Sequence, residues 1–244
     1  MGPEHQTKGS AMKSFFSTPR VTGLLYLGLA ITGMLSFLII RPQLFVSGDG
    51  DATLENLRVH ADLARWGVAL ELAVVLFQAL LALSFLTLFR AIRPIAATAI
   101  AAFGLINAVA ILFATMFWSV ANAIAADPIS ASSPGGDAAA TALLLFDLHN
   151  AAWDAGNLFF GLWLIPMGLA VLAAGWVRLL GYALIIGGVG YVTSAFLLVL
   201  LPQFGVAAEV LALLATVGEL WIIGYLLFTR TAVPSPIGRE RIAA

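Results

Sequence analysis

Six apolar runs, each about 20 residues or longer, alternate along the chain with short segments that gather charge, Pro or Gly. They are Val21 to Ile40, Trp66 to Phe89, Pro94 to about Ala123, a run ending near Trp176, about Leu179 to Leu201, and Val206 to Thr229. The apolar positions are continuous and show no period-2 alternation, so the runs predict helices rather than the strands of a barrel. Each can cross a hydrocarbon core of ~30 Å. Pro94 opens one helix, "SSPGGD" precedes span 4, and "PQFG" separates spans 5 and 6. Asp137 stands where a helix N-cap is expected. The fold predicted is an all-α integral membrane bundle of six transmembrane helices.

Two segments depart from the simple pattern. From Gly50 to Arg65, charges alternate at helical spacing with Leu54, Leu57, Val59, Leu63 and, just beyond, Trp66. This predicts either a short interfacial helix on the outer side or an outward extension of span 2. The second is "LLLFDLHNAAWDAGNLFFGLW", Leu143 to Trp163, where two Asp, one His and two Asn interrupt apolar sequence. Ala138 to Trp176 is roughly 39 residues, about 58 Å if wholly helical, nearly twice the membrane's apolar thickness. Counting back from Trp176, Ala155 to Gly175 fills the lipid core, so the polar stretch falls at its outer boundary. Either the helix projects outward or its first part folds over as a separate interfacial segment, and Pro166 is a candidate kink.

Composition agrees with a lipid-facing chain. It is 61% hydrophobic and 10% charged, with mean hydropathy of +1.00, whereas soluble domains are about a quarter charged. A net charge of −1 gives no reason to expect nucleic acid as a partner. With no Cys, thiolate chemistry and Cys-ligated metals are excluded. "MGPEHQTKGSA", residues 1–11, reads as an expression remnant, leaving a membrane domain over 12–230 and a cytoplasmic tail over 231–244. Lys13, Arg20, Arg90, Arg93, Arg178, Arg230, Arg239 and Arg241 fall on one side under this reading. Arg41, Arg58 and Arg65 fall on the other, among Asp49, Asp51, Glu55 and Asp62. That asymmetry predicts both termini inside.

The polar stretch carries the candidate chemistry. At about 100° per residue, Asp147, Asn150, Asp154 and Asn157 share an arc of about 80°. Trp153, Phe160 and Trp163 form an adjoining aromatic strip, with His149 on that side. Depth arithmetic adds Glu71 of span 2, Glu209 in the first turn of span 6, and Glu219 near its middle. The expectation is a cavity in the outer half of the bundle. Asp154, Glu219, Asp147 and Glu71 would be its acid/base groups. His149, Asn150, Trp153, Asn157, Phe160, Trp118 and Tyr191 would line it for an amphiphilic or lipid-like small molecule. A carboxyl that keeps its proton can act as a general acid in such a site. The plainer reading is structural: Asp147 and Glu209 sit in the wet interface, His149 packs helices, and Glu219 bonds Asn107 or Tyr191, which share its depth.

Other chemistries lack their residues. One embedded His cannot supply a haem or zinc site, and Asp147 and Asp154 are about 10.5 Å apart along a helix; no metal or cofactor is expected. "GGVG" at Gly187 to Gly190 lies inside span 5 and is no phosphate loop. Ala183, Gly187, Gly190 and Ser194 make a small-residue stripe suited to close helix packing.

"VTGLLYLGLAITG", "LFDLHNAAWDAGNLFFGLWLIPMG", "LLGYALIIGGVGY" and "VGELWIIGYLLF" together resemble the bacterial membrane family termed domain of unknown function 4386. The resemblance covers nearly the whole chain after Met12. It implies a multi-pass protein of the bacterial cytoplasmic membrane and no biochemical function. That family often carries an acid just after the Gly-Tyr of span 5, where this chain has Thr193 and Ser194. Three classes of function follow: a membrane enzyme or binder acting on an amphiphile, such as a cyclase, isomerase or hydrolase; a proton-coupled transporter; or a scaffold or accessory subunit whose acids only pair helices. No inverted repeat is evident, which weighs against the transporter.

Overall fold

The structure, a computed structural model, describes residues 18–127 and 136–229. The terminal segments 1–11 and 231–244, most of the loop before span 4, and Lys13, Arg230, Arg239 and Arg241 lie outside these. The described residues form helices α1 (Pro19–Leu44), α2 (Gly50–Val59), α3 (Ala61–Phe89), α4 (Pro94–Ala126), α5 (Ala138–Ala173), α6 (Arg178–Leu200) and α7 (Gly205–Phe228). A 3₁₀ turn, Pro202–Phe204, joins the last two. All but α2 are long and apolar enough to cross a membrane. The protein is a multi-pass integral membrane protein with six such helices.

Helix α1 runs further than its apolar pattern predicts. The sequence puts a boundary at Ile40, before the charge of Arg41, and Pro42 follows it. Proline inside a helix removes one bond and presses its ring on the carbonyl four residues back. Here Leu35–Ile40 is a π-helical segment, in which the Arg41 N–H bonds the Ser36 carbonyl five residues back. The wider turn lets Arg41–Leu44 continue as helix, and Arg41 stays on it.

Helix α2 is a separate element, not an extension of α3. Asp49 caps it, its Oδ1 accepting the Ala52 N–H at 2.9 Å. The chain leaves helical geometry at His60 before α3 begins. Leu54 and Leu57 are buried, whereas Val59 and Trp66 are exposed. The break at His60 ends the common face that the spacing suggested.

Helix α5 resolves the length problem of span 4. It is one helix of 36 residues that passes Pro166 without interruption. Its first part is therefore not a separate interfacial segment. Asp137 caps its start, Oδ1 accepting from the Ala140 N–H at 2.9 Å.

The fold divides into two compact units. One comprises Gln78–Asn107 with the chain up to Leu27 and from Asn157; the other comprises Gly28–Phe77 and Ala108–Gly156. In the first unit, α6 is held by close backbone approach on two faces. A Cβ at Gly188 would lie 2.7 Å from the Gly161 carbonyl of α5, and one at Gly187 would lie 2.7 Å from the Ala215 Cα of α7. Contacts this short admit no side chain, so the small-residue stripe predicted in span 5 is a packing face. In the second unit, Leu44, Leu57, Trp118 and Phe146 are fully or almost fully buried in one apolar cluster.

Candidate functional site

Polar groups buried among apolar helices are costly unless they are paired. In the second unit the pairing centres on Glu71 of α3 and His149 of α5. His149 Nε2 lies 2.8 Å from Glu71 Oε1, and both side chains are almost fully buried. The Trp153 indole, one helical turn beyond His149, donates to the same oxygen at 3.1 Å. The spacing of four residues on α5 puts both groups over one carboxylate. Trp118 of α4 meets the imidazole edge-on with centroids 5.5 Å apart, and Phe146 packs beside it at 6.0 Å. Gly67 leaves room for that indole, since a Cβ there would fall 2.4 Å from the Trp118 ring.

The network continues through Asn150 to Arg41. Arg41 Nη2 donates to Asn150 Oδ1, and the same oxygen lies 3.3 Å from His149 Nδ1. The guanidinium sits 4.7 Å from the Phe37 ring centroid, a cation–π contact. Phe37 in turn packs on Trp153 at 5.8 Å. Arg41 is half-buried, Asp154 is exposed, and both Asp154 and Glu71 lie within electrostatic reach of the guanidinium. Glu71 Oε2 and Arg41 Nε are buried without a hydrogen-bond partner among the described residues. An acceptor and a donor thus remain unused in one network. Left unmatched, each such group costs about 1–3 kcal/mol.

Asp147 is exposed and Asn157 half-buried. Glu219 of α7 belongs to the first unit, where its Oε1 accepts from the Tyr26 hydroxyl of α1 at 2.7 Å. Tyr191 of α6 also faces this carboxyl. Phe160 stacks on Tyr191 at 5.9 Å, and Trp163 meets Tyr26 at 5.6 Å. Asn107 is fully buried, and its amide finds no hydrogen-bond partner among the described residues. Of the two partners expected for Glu219 from shared depth, Tyr191 is met and Asn107 is not. Glu209 is exposed.

Arg41, Phe37 and Tyr26 were not legible as site residues. The apolar run ends at Ile40, which leaves Arg41 outside span 1 in the sequence reading. The signal that points to it is the Arg-Pro pair, read as a continuation through a wider turn. A cavity of about 440 Å³ in the second unit is lined by Leu57, Arg58, Arg65 and Asn122 among others. Arg58 there donates to the Ala125 carbonyl at 3.4 Å, a cation placed at the carbonyl end of α4, which suits the helix dipole.

Residues 21–229 match the family described as Domain of unknown function (DUF4386), and the chain belongs to that family. No curated protein and no solved structure matches it.

Proposed function

We propose that this member of a family of unknown function binds an amphiphilic small molecule at the polar network of the second unit, in a bacterial cytoplasmic membrane. Arg41 and Asp154 take the polar head of the molecule, and Phe37 and Trp153 take its apolar part. Glu71 and His149, behind Trp153, supply an acid/base pair. The observation that carries this reading is the buried Glu71–His149 pair joined to a half-buried Arg41. Burying so many polar groups is costly in lipid, and such groups there usually mark a functional path or site.

A second reading is favoured at Glu219. Its carboxyl, met by hydroxyls from α1 and α6, ties together three helices of the first unit, which suits helix pairing without a ligand.

The test is native mass spectrometry of the full chain extracted with its lipids. Wild-type protein retains an added mass. Asp154→Asn loses it while keeping its thermal stability, and Glu209→Gln retains it. An Asp154→Asn variant that keeps the bound mass, or that simply unfolds, makes these acids structural.

A further inference from the structure

The hydrogen-bond partners of Asn150 fix where the protons of the buried pair must be. Arg41 is a donor only, so the Asn150 atom that meets Nη2 is the amide oxygen, not its nitrogen. The same oxygen faces His149 Nδ1 at 3.3 Å. An acceptor in that position requires Nδ1 to carry a hydrogen. On the far side of the ring, the Trp153 indole is also a donor only, so Glu71 Oε1 accepts from it. What remains is one hydrogen on the 2.8 Å line between His149 Nε2 and Glu71 Oε1.

We infer that Asn150, held in orientation by Arg41, is a positioning residue that locks His149 in its Nδ1–H form, so that Glu71 and His149 share a single proton between Oε1 and Nε2. That proton has two places to sit. On Nε2 it makes an imidazolium beside a carboxylate; on Oε1 it makes a neutral imidazole beside a neutral acid. Both forms have zero net charge, so the transfer of the proton across the line changes no net charge inside the apolar core. This is how a dyad can persist while buried among apolar helices. Arg41 and Asp154 offset each other in the same network. Without Asn150, a bare Nδ1–H would be a buried donor with no acceptor, and the ring would instead keep its hydrogen on Nε2 alone.

The proton arrangement needs no ligand and is read on the protein itself. His5 and His60 are replaced by Gln in the full chain, which leaves His149 as the one histidine. Nitrogen-15 NMR of that ring in lipid bilayers then reports which nitrogen is protonated. The expected wild-type spectrum shows a protonated Nδ1. Asn150→Leu should convert it to a bare Nδ1 with a protonated Nε2, whereas Asn150→Asp, which keeps an acceptor, should preserve Nδ1–H. Arg41→Gln frees the amide to turn its NH₂ toward the ring and should shift the spectrum as Asn150→Leu does. A bare Nδ1 in the wild-type background overturns the inference by itself, whatever the variants do. So does an Asn150→Leu or Arg41→Gln spectrum indistinguishable from wild type.

Discussion

Removing either partner of the Glu71–His149 pair should cost nearly as much as removing both. Glu71→Leu strands two buried donors or acceptors at once, His149 Nε2 and Trp153 Nε1, because both converge on Oε1. Breaking a buried ion pair in a water-soluble protein costs about 3–5 kcal/mol. Interhelical hydrogen bonds in a membrane are worth less, about 0.6 kcal/mol on average and up to about 1.7, because the unfolded helices also find partners in lipid. Two bonds on one fully buried oxygen place Glu71→Leu above the single-bond average, at about 2–3 kcal/mol. His149→Leu should cost a similar amount. The double variant leaves only the indole unmatched, so it should be little worse than either single one, with a coupling energy of at least about 1 kcal/mol. Equilibrium unfolding in bicelles, with all four proteins measured under one condition, gives this number. A coupling within about 0.5 kcal/mol of zero would refute the reasoning, since independent sites add to within that margin.

Four further outcomes follow from the packing and the sequence. Gly188→Val puts a branched side chain against the Gly161 carbonyl and should destabilise by at least about 1–3 kcal/mol, whereas Gly205→Ala, where a Cβ meets nothing within 4 Å, should leave the melting temperature unchanged. Tyr26→Phe removes the hydroxyl that meets Glu219 and should lower stability by about 1 kcal/mol, read in the same unfolding assay. Spin labels along α2 should be accessible at Val59 and protected at Leu54 and Leu57; uniform accessibility would contradict the separate helix. Reporter fusions in the "SSPGGD" loop and after Arg241 should report opposite sides of the membrane, and the same side would overturn the six-span arrangement.

Much of the architecture is legible because the membrane constrains it so strongly. Continuous apolar runs leave helix as the only way to satisfy the backbone, so the six spans and the Asp137 cap can be read directly. The small-residue stripe from Ala183 to Ser194 is legible for the same reason, as small side chains are what close helix approach requires. Depth along a helix can also be counted, which is how Glu71 and His149 come to be named together. Rotation about the helix axis and the choice of neighbour cannot be counted from one sequence. Asn107 and Tyr191 share the depth of Glu219, yet only Tyr191 meets it, together with Tyr26, whose hydroxyl looks unremarkable inside an apolar run. Arg41 was hidden by a backbone device: a π-helical turn carries the helix past a proline, and hydropathy has no sign for it.

The central claim is that the network around Glu71, His149 and Arg41 receives a ligand. Its most direct test is an experimental structure of the full chain purified with its native lipids, at a resolution that shows bound molecules beside α5. Density is expected against Phe37 and Trp153, with a polar atom about 3 Å from the half-buried Arg41 guanidinium, and its loss is expected in Asp154→Asn. No bound molecule against Phe37 and Trp153 in either protein would contradict it.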